Sequence, residues 1–522
     1  MQLDILMAMQ TMTQVMEVML TGTGTIYNGF IAKYDSYGNF IRVLQIKGTK
    51  ECFVNTIASD SLGNIYVCGT YRDSVVVDPS NNQLIFTTDP NHPYQNDFFV
   101  SKYASNGSLI WAKSFGGGGD DIAMDITASK NGDIYLTGWL SDSFTVRSGG
   151  SFTDTFYCNS QDAFLLKLNT NGVIQYLKQF KGTGNEGGRR LCIDHDFVYM
   201  AGSIQGGHVY FDSTMSQPLN SIGGLGDIFI TKFSLQGNYI WSKIIGGKGY
   251  EEPQSITVDQ GGNVLTVGGF TDTVDFDPGV SVYNLFSHRK NAVNTYFWDN
   301  GFISKLDKNG DFIWAKVLNG VGRTVFNSIV CDTKNNYYIA GQYEDTTDFD
   351  FGNGTNYYVP IDTSKSIFFV LSIDSLANMN WIRNIIEIGF AYRNYFLTID
   401  KNNNIYAAGN YRGTNDFNIG YSPPMFVSAV YGDDCFFLKM NTWPLSVSQY
   451  ANEPMSQLEI YPNPAISKFQ IKNAKYQSKK ELYNSVGQLI LTTKENEIDV
   501  SRFAKGMYYL RCDGMSKKVI IE

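Results

Sequence analysis

Several features that mark particular classes of protein are missing from this chain of 522 residues. It has only 4 histidines, its 7 cysteines form no CxxC pair, and it has only 13 prolines. No apolar run approaches the roughly 20 residues that a membrane-spanning helix needs. Without a CxxC pair or a Cys/His cluster, a zinc site is disfavoured. The cysteines are interpreted as small buried core residues, with a disulfide framework as the alternative.

The motifs of common catalytic sites are also missing. The chain has no G-x-S-x-G, no H-E-x-x-H and no phosphate-binding glycine loop, since the glycine run at 116–119 lacks the Lys-Ser/Thr that would follow. The histidines (His92, His195, His208 and His288) fall mostly in loops without a partner at a catalytic spacing. The sequence therefore favours a protein that is not an enzyme, and it leaves catalysis open.

Charge is divided unevenly along the chain. Residues 1–456 carry 30 basic and 43 acidic side chains, a net charge of −13, whereas residues 457–522 carry 11 and 7, a net charge of +4. An acidic main body argues against nucleic acid as a partner.

A short phrase, an apolar strand ending in lysine with a glycine turn five residues later, recurs seven times, and the last two copies have lost the glycine. Successive copies are 69, 65, 65, 73, 67 and 67 residues apart, which indicates one structural unit copied along the chain. A second apolar strand follows the turn, usually with Trp four residues on, and the two strands predict a β-hairpin. The lysine positions are Lys33, Lys102, Lys167, Lys232, Lys305 and Lys439, with Ser372 in one copy.

A second hairpin, of the form I-x-x-D-x-x-G-N-I-Y-x-x-G, occurs in six copies and closes on a glycine. Two hairpins give four strands per period, so the sequence predicts an all-β fold, a β-propeller of four-stranded blades. Seven blades with the first incomplete are preferred, and six blades closed by the strand near Cys435 are the alternative. A row of separate domains is disfavoured because two hairpins bury too little surface to fold alone. The closing glycines are Gly69, Gly138, Gly202, Gly268, Gly341 and Gly409.

Residues 20–442 carry both hairpins, for example GFISKLDKNG and IASDSLGNIYVCG. With these motifs the region resembles the SBBP-like β-propeller repeats of large secreted bacterial proteins. The resemblance implies a propeller and an extracellular location, and it implies no particular reaction.

The first 19 residues do not fit the repeat. They contain Asp4 and Glu17 and no basic residue, so they lack the n-region and h-region of a signal peptide. From Leu20 onward the chain is already in register with residues 219–232. We therefore expect that Met1 is not the natural start, that residues 1–19 are an atypical or mistranslated segment, and that a signal peptide lies upstream.

After a linker at 443–456, short alternating strands over 457–522 predict a small Ig-like β-sandwich. Four motifs occur there in order: Tyr461-Pro462-Asn463-Pro464, an S-x-G-Q stretch with Gly487, a K-G-M-Y-Y-L stretch with Gly506, and a basic end with Lys517 and Lys518. Together they resemble the type A C-terminal sorting domain of the type IX secretion system.

This second resemblance implies an address. Such proteins cross the inner membrane by the general secretory route and the outer membrane by the type IX machinery, in bacteria of the Bacteroidota type. The protein would then be released or held at the outer-membrane surface. A carbohydrate-binding Ig-like accessory module is the alternative for this segment. A sorting domain says nothing about what the rest of the chain does.

Acidic turns that follow the closing glycines are the candidates for a bound ion. Alternating carboxylates on an extended segment point the same way, with the Phe between them facing the core. Oxygen ligands so placed suit Ca²⁺, whereas the alternative is that they cap turns through backbone amides. The candidate ligands are Asp275, Asp277, Asp348, Asp350 and Asp416.

The sequence thus favours a secreted or cell-surface scaffold that binds a protein or a glycan. Long inter-hairpin loops at 72–96, 141–161 and 271–299 would offer contacts on one rim. The alternative is a glycan-degrading enzyme that uses the central cavity of the propeller. The loops hold aromatics that fit either ligand contact or packing: Tyr94, Phe156, Tyr157, Tyr283, Tyr296, Phe297 and Trp298.

Overall fold

The computed structural model describes residues 28–35, 39–78, 85–92, 94–146, 155–158, 160–213, 215, 217–287, 300–320, 322–352, 354–359, 366–388, 395–400, 402–417, 426–441, 459–472, 479–484, 489–512 and 515–522. Regular structure in these residues is β-strand, which confirms the all-β prediction. No helix in the described ranges is long and apolar enough to cross a membrane. Residues 1–19 and the predicted linker at 443–456 lie outside them.

The chain divides into two compact units. The first comprises the chain up to Asn415 together with Val427–Thr442, and the second comprises Asp416–Phe426 together with the chain from Trp443.

The strands of the first unit follow one another in short antiparallel hairpins. They are β1 (Gly29–Tyr34), β2 (Phe40–Gly48), β3 (Cys52–Ser59), β4 (Ile65–Arg72), β5 (Ser74–Val76), β6 (Ile85–Thr87), β7 (Asn96–Tyr103), β8 (Leu109–Gly117), β9 (Ile122–Ala128), β10 (Ile134–Leu140), β11 (Ser143–Val146), β12 (Thr155–Tyr157), β13 (Asp162–Leu168), β14 (Ile174–Gly182), β15 (Asn185–Ile193), β16 (Phe197–Gln205), β17 (His208–Tyr210), β18 (Leu219–Asn220), β19 (Asp227–Ser234), β20 (Tyr239–Gly247), β21 (Glu251–Val258), β22 (Val264–Phe270), β23 (Thr273–Asp275), β24 (Asn284–Phe286), β25 (Asn300–Leu306), β26 (Phe312–Val317), β27 (Asn319–Gly320), β28 (Thr324–Cys331), β29 (Tyr337–Tyr343), β30 (Thr347–Asp348), β31 (Tyr357–Tyr358), β32 (Ser366–Ile373), β33 (Met379–Ile388), β34 (Phe396–Ile399), β35 (Asn404–Asp416) and β36 (Phe426–Asn441).

Within the described residues, five repeats form the same four-stranded meander, in the orders β3-β4-β7-β8, β9-β10-β13-β14, β15-β16-β19-β20, β21-β22-β25-β26 and β28-β29-β32-β33. The sheet at the start of the chain has β1 and β2, and the sheet at the end has β34, β35 and β36. The two hairpins of each period therefore lie side by side in one sheet.

The connections between the two hairpins also contain strands. Each pairs with the last strand of the preceding repeat: β5 with β2, β11 with β8, β17 with β14, and β23 with β20. The sequence predicts long inter-hairpin loops at 72–96, 141–161 and 271–299, but their described parts contain short hairpins that join one repeat to the one before it.

Neighbouring repeats pack through their first strands. β3 packs against β9, β9 against β15, β15 against β21, β21 against β28, and β28 against β34. The two end sheets also meet, because the ring of Tyr34 in β1 stacks on that of Phe437 in β36 with centroids 5.9 Å apart and planes 13° apart. The repeats thus form one continuous series in which the first and last sheets are neighbours.

The turn after each lysine explains the recurring glycine. Gly107, Gly172, Gly237 and Gly310 have φ between 75° and 88°, a region that glycine occupies without steric cost. One of the two copies that lost the glycine keeps the conformation, with Ala377 at a φ of 67°. In four of the five complete meanders, the register of the strand pairing shifts directly after the lysine. In the fifth, which has Ser372 at this position, it shifts directly after the serine.

The core lies between the sheets and is strongly aromatic. The ring of Phe98 stacks on Phe115, Phe144 and Phe164 with centroids 5.0, 6.0 and 5.6 Å away, which joins two repeats. No disulfide joins any of the seven cysteines, and Cys52 and Cys68 are fully buried in this unit, whereas Cys158, Cys192 and Cys331 are partly buried. The structure thus places Cys52 and Cys68 in the core.

The closing glycines sit where three strands approach closely. A Cβ on Gly202 would overlap the carbonyl oxygen of Gly187 and the ring of Phe229. A Cβ on Gly268 would likewise overlap the carbonyl oxygen of Glu252 and would meet the ring of Phe302. The repeat keeps glycine here because the next strand supplies a Phe that fills the space.

We expect Gly202→Ala to lower the free energy of unfolding by about 1–3 kcal/mol, as overpacking of a filled core does. The matched control is Gly187→Ala in the paired strand, where the added Cβ meets nothing nearer than the Trp139 ring at 3.5 Å. Urea denaturation of both variants measures the difference. Equal losses would show that the Phe229 contact does not set the requirement for glycine.

The second unit contains two small sheets, of order β37-β38-β41 and β40-β39-β42-β43. Their inner faces bury Phe469, Leu482, Leu510, Val519 and Ile521. The strands are β37 (Glu459–Tyr461), β38 (Lys468–Lys472), β39 (Lys480–Asn484), β40 (Leu489–Thr493), β41 (Glu497–Asp499), β42 (Gly506–Cys512) and β43 (Met515–Ile521).

Candidate functional site

The recurring lysines and tryptophans bind the turn of the next repeat. The ammonium of Lys102 donates to the carbonyl oxygen of Thr170 at 3.0 Å and to its hydroxyl at 2.7 Å. The indole N–H of Trp111 donates to the same carbonyl at 3.1 Å. Lys232 and Trp241 share the carbonyl of Lys308 in the same way. These residues recur because they hold adjacent sheets together, so they are poor candidates for ligand binding.

The aspartate that opens the second hairpin is also structural. In the first complete repeat, Asp60 accepts hydrogen bonds from the backbone N–H groups of Leu62 and Asn64 at 3.0 and 2.9 Å. Its other oxygen accepts from the Asn64 amide at 2.8 Å and the Tyr66 hydroxyl at 3.1 Å. Burial alone would raise the pKa of Asp60, but these hydrogen bonds outweigh it and lower the pKa.

This lowered pKa predicts a pH-dependent penalty for Asp60→Asn. A carboxyl whose folded pKa is depressed stabilises the fold above its unfolded pKa of about 3.9, and the stabilisation is lost as pH falls through the folded pKa. We expect Asp60→Asn to cost about 2 kcal/mol at pH 7 and almost nothing well below pH 3. Urea denaturation across this range measures it. A constant penalty at every pH would contradict the charged role, and Asp311→Asn in an exposed turn is the control.

The predicted calcium ligands cap turns. An oxygen of Asp275 accepts from the backbone N–H groups of Asp277 and Tyr283 at 3.1 and 2.8 Å. An oxygen of Asp348 accepts from those of Asp350 and Asn356 at 3.0 and 2.7 Å. This is the geometry of the capping alternative.

The neighbouring positions follow the same pattern. Asp277 and Asp350 each accept from a glycine N–H two residues on, and the intervening Phe276 and Phe349 are fully buried. Asp416 ends β35, and its side chain lies outside the described part. Among the described residues, no group of three or more His, Cys, Asp or Glu side chains is placed to hold a metal ion. Calcium at these turns stays a prediction.

Sequence reasoning missed a set of buried carboxyls at the junctions between repeats. Three consecutive junctions each bring an acidic residue at the start of a third strand close to one at the start of the next repeat. The signal was present in the sequence, because both members recur at the 65-residue period. The pairs are Asp97 with Asp121, Asp162 with Glu186, and Asp227 with Glu251.

These carboxyls are strongly perturbed. Burial, and then the charge of Asp162, raises the pKa of Glu186 to about 8. Burial, and then the charge of Asp227, raises the pKa of Glu251 to about 9. Burial also raises the pKa of Asp227 to about 6 and that of Asp121 well above its usual value. Each pair therefore places like charges close together in a dry setting.

The loop aromatics divide into exposed and packed residues. Tyr94 is 77% and Tyr157 is 70% exposed, and the ammonium of Lys50 lies 5.4 Å from the Tyr94 ring centroid. Tyr283 instead packs on Phe312 with centroids 4.8 Å apart. The side chain of Phe156, and Tyr296, Phe297 and Trp298, lie outside the described residues.

In the second unit, the first predicted motif meets the end of the chain. Both X-Pro bonds of the Tyr461–Pro464 segment are cis. The side-chain oxygen of Asn463 accepts from the backbone N–H of Ile520 at 2.8 Å. Ala465, which directly follows the motif, donates its N–H to the carbonyl of Ile520 at 2.7 Å and accepts from the N–H of Glu522 at 2.9 Å. The Tyr461–Pro464 motif and the C-terminal strand therefore form one edge.

The third and fourth motifs of this unit lie on the four-stranded sheet. Gly506 begins β42 with a φ of 151°, in open space. Lys517 and Lys518 stand opposite Leu510 and Tyr509 in β43, and their side chains lie outside the described part, as does Gly487. Tyr461, Met507 and Tyr509 are 71%, 39% and 44% exposed, so the unit presents apolar side chains to solvent.

Comparison with known families assigns this unit. Residues 459–522 match the family described as the secretion system C-terminal sorting domain. The second unit contains a type IX sorting domain. The resemblance found in the sequence is thereby confirmed, and the sorting domain implies export to the cell surface or the extracellular space.

The chain also has a more distant relative. It is 23% identical over 408 residues to an uncharacterized WD repeat-containing protein of Acanthamoeba polyphaga mimivirus, a match that covers 67% of this chain and 29% of that protein. The chain thus spans less than a third of this relative's length.

Two solved structures are also similar. One is a member of the DUF4221 family from Bacteroides vulgatus, at 10% identity and a TM-score of 0.30, covering 74% of this chain and 93% of that one. The other is PorZ, a surface component of the type IX secretion system of Porphyromonas gingivalis, at 11% identity and a TM-score of 0.17, covering 93% and 83%. The assignment of the sorting domain does not depend on either.

Proposed function

We propose that residues 20–442 form a β-propeller that binds a protein or a glycan outside the cell, where the sorting domain delivers it. The observation that carries the proposal is the exposure of Tyr94 and Tyr157 on the connections between hairpins. The recurring Lys, Trp and Gly residues are used in packing, so ligand contacts fall to residues that do not recur. Aromatic rings with a polar tip suit both glycan and protein ligands.

A propeller of seven blades fits the packing best. The first strands of six repeats pack in sequence, and the contact of Tyr34 with Phe437 makes the first sheet the neighbour of the last. A ring removes the exposed sheet edges that an open row would leave. In this proposal β1 and β2 are the outer strands of an incomplete first blade, and the second unit is a small Ig-like sandwich.

The site of contact is a face rather than the propeller axis. Tyr94 and Tyr157 precede the third strands of consecutive repeats, where equivalent positions of a ring lie on the same side. A ligand that spans both would contact two blades at once.

A glycan array and a panel of extracellular protein ligands, probed with the full chain, test this proposal. We expect binding that Tyr94→Ala and Tyr157→Ala together reduce at least about tenfold, since an aromatic ring that a ligand buries contributes about 2 kcal/mol or more. Tyr283→Ala is the matched control, because that ring packs on Phe312.

A parallel assay of glycoside hydrolysis separates the alternatives. Turnover without stable binding would overturn the scaffold and favour the glycan-degrading enzyme. Binding that is unchanged in the double variant would remove the proposed face.

A further inference from the structure

The acidic junctions between repeats have a repeated geometry. The backbone N–H of Asp121 donates to the carbonyl of Asn96, that of Glu186 to Gln161, and that of Glu251 to Gly226, at 2.8, 2.8 and 2.9 Å. Each acceptor directly precedes the first acid of the pair, so the two acidic residues are held together by the backbone. All six acids are at most 3% exposed.

Several of these carboxyl oxygens have no hydrogen-bond partner. Within the described residues, this holds for both oxygens of Glu186 and of Glu251, one oxygen of Asp121 and one of Asp227. The second oxygen of Asp227 accepts from Ile222 N–H at 2.7 Å, and that of Asp121 from Ser141 N–H at 3.1 Å. A buried ionised carboxylate without a partner is costly, so something must compensate it.

Glycines make the room for these oxygens. A Cβ on Gly116 would overlap an oxygen of Asp97, and a Cβ on Gly246 would overlap an oxygen of Asp227. At the middle junction, a Cβ on Gly182 would overlap an oxygen of Glu186. In these three repeats the fourth strand therefore has a glycine, without a side chain, beside the acid pair.

The neighbouring junctions show what happens without acids. At the fourth junction the two positions hold Asn300 and Thr324, and the Thr324 hydroxyl accepts directly from the N–H of Gly301 at 3.0 Å. At the first junction they hold Asn28 and Cys52, and the Asn28 side chain accepts from the N–H of Gly48 at 3.0 Å. At these five junctions the pair is acidic in both members or neutral in both. Both positions therefore share one need for polar partners, and the neutral pairs meet it with hydrogen bonds inside the protein.

We propose that each of the three acidic junctions binds one calcium ion between adjacent repeats. Two ionised carboxylates carry a charge of −2, which one divalent cation neutralises. The six side chains offer only oxygen, and hard oxygen ligands select Ca²⁺ rather than zinc or copper. With two carboxylates per junction, backbone carbonyls and water complete the shell, so the affinity belongs to the extracellular range of about 0.1–1 mM. The bound ions brace the junctions of an exported protein.

Equilibrium dialysis of the full chain against Ca²⁺, after treatment with EDTA, tests the proposal. We expect three ions per chain, half-saturation near about 0.1–1 mM, and a Tm that rises with Ca²⁺ because the ion binds only the folded state. Asp227→Asn with Glu251→Gln should fold in EDTA, since it imitates a neutral junction, and should bind two ions. If it does not fold, Asp97→Asn with Asp121→Asn makes the same test at another junction.

The acidic turns supply the matched control, Asp277→Asn with Asp350→Asn, which should still bind three ions. Loss of binding in this control would place calcium at the turns and overturn the junction sites. The proposal is also wrong if Tm is the same in Ca²⁺ and EDTA, or if the junction variants bind as many ions as the unmodified chain. In the first of these cases the acid pairs are neutralised by protons instead.

Discussion

Removal of residues 459–522 is expected to abolish export. The chain, placed behind the signal peptide of a bacterium that has a type IX system, should reach the medium or the cell surface when complete. The truncated chain should stay in the periplasm, because the address lies in the folded sorting domain. Immunoblotting of medium, outer membrane and periplasm measures the distribution, and complete loss of the extracellular fraction is expected.

Two companion chains make this test specific. Asp311→Asn, which changes an exposed hairpin turn of the first unit, should be exported normally. Asn463→Ala, which removes the acceptor for the Ile520 N–H, should lower export if the joined edge of the Tyr461–Pro464 motif and the last strand is recognised. Extracellular truncated chain at the level of the complete chain would contradict the role of the sorting domain here.

Lys305→Met is expected to destabilise the first unit by about 3–5 kcal/mol, because it leaves a buried carboxylate without its cation. The ammonium of Lys305 lies 3.2 Å from Asp259, and the two side chains are 6% and 1% exposed. The same ammonium donates to the Tyr337 hydroxyl at 2.8 Å. Urea denaturation of the full chain, followed by tryptophan fluorescence, measures the loss.

The matched control is Lys243→Met. Lys243 also forms an ion pair, at 3.3 Å from Asp311 in the next repeat, but Asp311 is 71% exposed. Surface pairs contribute about 0–1 kcal/mol, so this variant should lose little. The double variant Lys305→Met with Asp259→Asn should recover part of the loss, since no buried charge is then left without a partner of opposite sign. If the two lysine variants lose equally, burial of the Asp259 pair is not the cause.

The repeat could be predicted from the sequence because its strand pattern and its turn chemistry are local. Positive φ at Gly107 or Gly237 and alternating strand patterns act within a few residues, so the all-β architecture and its hairpins followed from the sequence alone. The sorting domain was readable for a different reason, since its motifs occur in a fixed order near the C-terminus.

The partners of the residues that join neighbouring repeats could not be predicted in the same way. Lys102 and Trp111 recur with the turn, yet their partner is Thr170 in the following repeat, and no local pattern says so. The hairpins inside the long connections could not be predicted from the sequence either. β5 and β11 are too short to show a period, and each is stabilised by a strand of the preceding repeat.

The sequence by itself determined the unit that is copied, the all-β class and the address at the C-terminus. Only the tertiary structure decided which recurring residues join sheets, where the acids of different repeats meet, and that Tyr34 and Phe437 bring the ends of the series together. The physical reason is range. Turns and strand alternation are set by neighbours in the chain. The contacts of a buried lysine such as Lys102 or of a carboxyl pair such as Asp227 with Glu251 instead depend on residues of another hairpin or of the next repeat.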